Sequence, residues 1–114
     1  MVDSRGITSQ IRQDILQAIK TSKCKDIIVT HGTYTMADTA KWIQENIGAT
    51  DKRIIFVGSF YPLTGFCPND AGFNLGFAIG IISFLRAGVH VAMNAEIFDP
   101  SEVKKDTIQG KFVK

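Results

Sequence analysis

Apolar positions along this chain follow two alternating patterns. Ile11, Ile15, Leu16 and Ile19 recur at the three- and four-residue intervals of one helical face, which predicts a helix over about residues 7–21, with Thr8 or Ser9 as its cap. "DIIVT", Asp26 to Thr30, is then a short β-branched run, as expected of a strand buried on both faces. A second helix from about Met36 to Asn46 carries Ala40, Trp42 and Ile43 and is closed by Gly48. "RIIFVGS", Arg53 to Ser59, reads as a second buried strand, and "FYPLTGFCPND", with two prolines and a glycine, as an ordered loop. An apolar helix over Ala71 to Leu85 follows, with Asp70 as its N-cap and Gly88 at its end. "VHVAM", Val89 to Met93, supplies the third strand, and the remainder, turning at Pro100, reads as irregular.

Short strands alternating with helices imply parallel strands joined by right-handed crossovers. The expected class is α/β, a three-layer sandwich of Rossmann-like or flavodoxin-like type, with about three parallel strands and flanking helices. Gly72, Gly76 and Gly80 recur every four residues in the third helix, so a close backbone approach along one face is expected. The apolar run from Ala71 to Leu85 is shorter than the roughly 20 residues a bilayer requires.

Composition narrows the function classes. A chain of 114 residues with 45% hydrophobic positions suits one compact domain spanning residues 1–114. Its net charge of +2 gives no support for nucleic acid, a membrane surface or an acidic substrate, and Lys104, Lys105, Lys111 and Lys114 read as a solvated tail. Cys24 and Cys67 form no CxxC unit, so reduced thiols in a cytoplasmic protein are expected rather than zinc or a disulfide. The residues after Met1 hold no apolar stretch of signal-peptide type.

Candidate chemistry gathers where the strands end. In an open parallel sheet, ligands bind outside the carboxyl ends of the strands, and "HGTYT", "GSFYP" and "NAEIFD" leave those ends on the same edge. Gly32 permits a sharp turn, after which Thr33 and Thr35 present hydroxyls that more commonly serve at such corners as a turn residue and a helix cap, but that a nearby base could turn to nucleophilic use. His31 invites a triad reading, but no G-x-S-x-G elbow is present. His31 and His90 form no metal set with a nearby carboxylate or thiolate, so no metal is expected. Neither G-x-G-x-x-G nor G-x-x-x-x-G-K-[ST] occurs, so no dinucleotide or nucleotide cofactor is expected. Lys105 is a solvated lysine, or a base if it is drawn into the crevice.

"DSRGIT", "IIVTHGTYTMADTA", "IIFVGSFYPLTGFCPNDAGFNLGFAIG" and "GVHVAMNAEIFDPSEVKKD" stand in the order and spacing of bacterial-type L-asparaginases, and the chain most resembles a short, single-domain branch of them. The resemblance runs from Asp3 to about Phe112, and "HGTxTM" is its most specific element. It implies hydrolysis of the side-chain amide of asparagine or glutamine by a threonine nucleophile, without cofactor or metal. It makes Thr33 the second catalytic threonine, working with a water and Lys105. Ser4 would hold the substrate carboxylate, and Ser59 marks the backbone carbonyl that orients the scissile amide.

The chain departs from the family at two points. Tyr34 stands where the family has an aspartate that binds the substrate's α-ammonium, and a neutral phenol does not supply that charge. The family opens with a strand ending in "TGGT", source of the first threonine nucleophile, and that motif is absent from the 114 residues. The chain is therefore expected to be truncated at its N-terminus and incomplete as a catalyst. In the family's sheet that strand lies beside the one matching "DIIVT", so the edge left open is expected to drive homo-oligomerisation or pairing with an N-terminal segment. The alternative function is a non-catalytic asparaginase-like domain that binds a small amino acid or a partner protein.

Overall fold

The computed structural model describes residues 9–32, 35–58, 70–93, 95–102, 104–106 and 111–113, and gives the backbone alone for 70–73, 104–106 and 111–113. In chain order the elements are α1 (Ser9–Thr21), β1 (Asp26–Thr30), α2 (Met36–Ile47), β2 (Arg53–Val57) and α3 (Asp70–Ile81). After α3 come a single 3-10 turn (Ile82–Phe84), β3 (Gly88–Met93), β4 (Glu96–Phe98), β5 (Lys104–Asp106) and β6 (Lys111–Val113).

Strands β1, β2, β3 and β4 form one sheet in that order; β1–β2 and β2–β3 are parallel, and β4 is antiparallel to β3. A separate antiparallel pair joins β5 to β6. Side chains alternate across the sheet and so divide the core in two. Ile54, Phe56, Val89, Val91 and Met93 pack under α1 and α2 with Ile19, Met36, Ala40 and Ile43. Ile55, Val57 and Ala92 face the other way, against Ala78 of α3 and Ile82. The architecture is the expected three-layer α/β sandwich.

Five features differ from the sequence expectation. The segment after β3 is not irregular: Glu96–Phe98 turns back onto Val91–Met93, the hairpin pivoting at Ala95 with φ 60°. Three residues are too few for a period to show, and no Gly marks the turn. β1 is only half-buried, because it is the edge strand and has a pairing partner on one side alone among the described residues. The apolar helix stops at Ile81 and tightens into the 3-10 turn, so that Gly88, with φ 129°, opens β3 instead of closing the helix. At Gly76 and Gly80 a Cβ would meet nothing within 4 Å among the described residues, so no close approach along that face is seen there. Asp70 is itself the first helical residue.

Polar contacts tie the layers together away from the core. Arg53 Nε donates to Asp26 Oδ1 at 2.6 Å and its Nη1 to Ser83 O at 2.7 Å, linking the starts of β1 and β2 to the 3-10 turn. Lys52 Nζ donates to Ile19 O at 2.6 Å and also to Ser22 O, closing the carboxyl end of α1 with a cation. Gly48, with φ 71°, ends α2 as expected.

Candidate active site at the strand ends

Register brings the candidate corners level. Thr30 lies beside Val57 and Val57 beside Ala92, so the chain leaves all three parallel strands at one height, with neighbouring strands about 5 Å apart. The ladder continues one residue further, His31 N–H donating to Val57 O at 2.9 Å.

Burial dominates at His31. Only 4% of the residue is exposed, and its ring sits 6.2 Å from that of Phe56. Nδ1 lies 2.6 Å from the carbonyl oxygen of Gly32, and since a carbonyl only accepts, Nδ1 carries the proton in this pairing. Nε2 then offers a buried lone pair that has no hydrogen-bond partner among the described residues. Desolvation pushes the ring's pKa below the ordinary 6.5, the Gly32 bond opposes this, and the Arg12 charge adds to the lowering. His31 is thus a neutral acceptor at pH 7, and its Nδ1 bond fixes the peptide group leading into Thr33.

Asn74 supports the second corner. It is fully buried on α3, and its Nδ2 donates to Gly58 O at 2.8 Å and points to Met93 Sδ at 3.4 Å. One amide therefore braces the end of β2 against the end of β3. Thr35 occupies the N-cap position of α2 without a side-chain capping bond, and its carbonyl accepts from Thr39 N–H at 2.9 Å. The first N–H groups of α2 point toward the corner, and a helix start favours an anionic group such as a carboxylate.

Of the residues singled out from sequence, Ser4, Thr33, Tyr34 and Ser59 lie outside the described residues, and Lys105 is described by its β5 backbone alone. Their described neighbours Gly32, Thr35 and Gly58 bracket two of the three corners. Asn74 was not anticipated; its sequence signal is a single polar residue inside the apolar run "AGFNLGFAIG". Among the described residues no three His, Cys, Asp or Glu side chains group as metal ligands, and no helix is long and apolar enough to cross a membrane.

Comparison with known proteins supplies a further observation. The family model "Asparaginase, N-terminal" matches residues 1–110. A glutaminase-asparaginase of Acinetobacter glutaminasificans is 33% identical over 111 residues, covering 91% of this chain and 33% of the relative. One from Pseudomonas fluorescens biotype A is 33% identical over 99 residues, covering 84% and 27%. The crystal structure of L-asparaginase I from Vibrio cholerae O1 biovar eltor str. N16961 superposes with a TM-score of 0.85 at 25% identity, over 99% of this chain and 35% of that one. That of a probable cytoplasmic L-asparaginase from Campylobacter jejuni gives 0.78 at 28% identity, over 91% and 34%. The chain spans about a quarter to a third of the length of these relatives.

Proposed function

Because the chain belongs to the asparaginase family, we propose that it is the site-bearing part of an amidohydrolase acting on the side-chain amide of asparagine or glutamine. The observation that carries this reading is the family match over residues 1–110, which takes in Ser4, Thr33, Tyr34, Ser59 and Lys105 together. A threonine oxygen attacks the amide carbon, forming an ester as the C–N bond breaks and ammonia leaves. Water, deprotonated by the Thr33–Lys105 pair, then hydrolyses the ester to the acid and frees the threonine. Ser4 holds the substrate's carboxylate, and the carbonyl beside Ser59 orients the amide. Support for a preformed site comes from the level strand ends, the Gly32 peptide fixed by His31 and the Gly58 carbonyl held by Asn74.

In this reading the first threonine must come from outside the 114 residues, so the chain alone releases no ammonia. The test is ammonia release from asparagine and from glutamine, by the chain alone and joined to a family segment ending in "TGGT". Turnover in the joined form, abolished by Thr33→Ala and by Lys105→Ala, is the expected result. Turnover undiminished by either substitution would refute the assignment.

Tyr34 favours a second reading, in which the domain binds an amino acid or a partner protein without turning it over. Asparagine binding by calorimetry with no ammonia release from the joined form would support it. We also propose a cytoplasmic homo-oligomer. Its support is the exposed apolar surface of Leu75, Ile79 and Phe84, the last 83% exposed, and light scattering at micromolar concentration tests it.

A further inference from the structure

The turn that follows β4 is held by one carboxylate. Asp99 Oδ1 accepts from Ser101 N–H at 2.9 Å, from Ser101 Oγ at 2.7 Å and from Gln44 Nε2 at 3.1 Å. The backbone closes the same turn, Glu102 N–H donating to Asp99 O at 3.0 Å, with an aspartate in its first position and Pro100 in its second, the residues such a turn favours. The Ser101 N–H and hydroxyl hold the Asp99 carboxyl below its ordinary pKa of 3.8 against desolvation, and Gln44 adds to the lowering. At pH 7 the group is therefore a carboxylate that only accepts. Phe98 and Pro100, on either side of Asp99, are both buried. The turn is pinned by its apolar members to the body of the domain and by its polar member to α2.

Register shows where this turn stands. Met93 pairs with Glu96 and Val91 with Phe98, so β4 runs back along β3, away from the strand ends. Asp99 is three residues past Glu96, a descent of about 10 Å at 3.3 Å per residue. Lys105 is three residues past Glu102, the last member of the turn, and the chain is extended there as β5, a reach of about 10 Å. Descent and return are thus equal in length. A closed turn reverses the chain and lets Lys105 regain the level of the strand ends, whereas an open one lets the same six residues run up to about 20 Å further from them. Gln44 supplies the lateral fix. It lies nine residues along α2 from Thr35, about 14 Å at 1.5 Å per residue, and Thr33 is two residues upstream of that cap. One rigid helix therefore links the Thr33 corner to the Asp99 turn.

We propose that Asp99 is the positioning residue for Lys105: by closing the turn and tying it to Gln44 of α2, it sets the return that places the lysine beside Thr33. This rests on the Thr33–Lys105 pairing of the function proposed above and names the group on which that pairing depends. Asp99 touches neither substrate nor reacting atoms; it acts through the chain between itself and Lys105.

The test is the nuclear Overhauser contact between the Thr33 methyl and the Lys105 side-chain methylenes, read by NMR on the 114-residue chain unaltered, as Asp99→Asn and as Asp99→Ala. Asparagine keeps an oxygen where Oδ1 accepts all three bonds, and alanine removes it. The contact should be present in the unaltered chain, kept in Asp99→Asn and lost in Asp99→Ala, with the amide resonances of Ile54 to Val57 unmoved to show that the sheet is intact. Gln44→Ala cuts only the tie to α2 and should weaken the contact; it serves alone should Asp99→Ala fail to fold. The form joined to a "TGGT" segment separates the chemical steps. Because the Thr33–Lys105 pair acts on the water that hydrolyses the ester, Asp99→Ala should keep a burst of ammonia equal to the enzyme and slow the steady state about 10–100-fold, whereas a loss of folded protein shrinks both together. A contact absent from every chain refutes the Thr33–Lys105 pairing and the role of Asp99 with it. A contact equal in every chain leaves the pairing standing and overturns the role of Asp99, and so does a slowed Asp99→Ala without a burst. Should the joined form release no ammonia, the contact alone decides.

Discussion

Replacing Asn74 with alanine removes the amide that braces the end of β2. Asn74 is fully buried, and its Nδ2 donates to Gly58 O at 2.8 Å. The lost hydrogen bond is worth about 1 kcal/mol net, and leaving the buried Gly58 carbonyl without its donor adds about 1–2 kcal/mol. Together these come to about 2–3 kcal/mol, before any cost of the cavity left by the carboxamide. For a domain of this size that corresponds to a fall in Tm of about 10 °C. Urea unfolding followed by circular dichroism measures the change directly, with an unaltered m-value showing that the compactness of both end states is unchanged. Asn74→Asp keeps the shape and reverses the chemistry, aiming a carboxylate at a carbonyl oxygen, so it should destabilise at least as much and recover as the pH is lowered. A loss below about 0.5 kcal/mol for both variants would refute the reasoning, since it would mean that water satisfies Gly58 as well as the amide does.

Three further substitutions follow from the geometry. Gly76→Ala should stabilise by about 0.5–1 kcal/mol in the same urea assay, because among the described residues a Cβ there meets nothing within 4 Å and glycine is the poorer helix former. Ala95→Gly should stabilise by about 1 kcal/mol by relieving a left-handed φ of 60°; a loss would show that the alanine methyl makes a contact worth more than the strain. His31 has its pKa lowered by burial, so the unfolded chain takes up the proton first as pH falls. Its contribution to stability is therefore complete above about pH 6.5 and is lost below it, by at most about 1.4 kcal/mol per pH unit, and His31→Gln should flatten that slope between pH 6.5 and 5.

The sequence was most legible where burial was complete. Residues of β2 from Ile54 onward are buried on both faces, and an unbroken β-branched and aromatic run announces such a strand. β1 carries the same signature yet is half-exposed, because the apolar run records what the strand is built to meet and not whether its second neighbour is there. β4 escaped notice because a three-residue strand owes its existence to pairing with β3, a relation the local pattern does not encode. The glycine repeat of α3 is a related case: spacing puts Gly76 and Gly80 on a shared face, but only tertiary structure tells whether anything lies against them, and among the described residues nothing does. At the candidate site the motifs picked out the corners, whereas the groups that stiffen them were hidden. Asn74 acts on a carbonyl sixteen residues earlier in the chain, and His31 through its own neighbour's peptide.

Lys52 is bonded to two carbonyls at the far end of α1, across 33 residues of sequence to Ile19 and 30 to Ser22. That strut stands at the foot of β2, an interior strand, so α1 is tied to the rigid middle of the sheet and not only to β1. Loosening at the edge therefore does not release the helix: α1 and β2 open together as one cooperative unit, while the edge strand frays on its own.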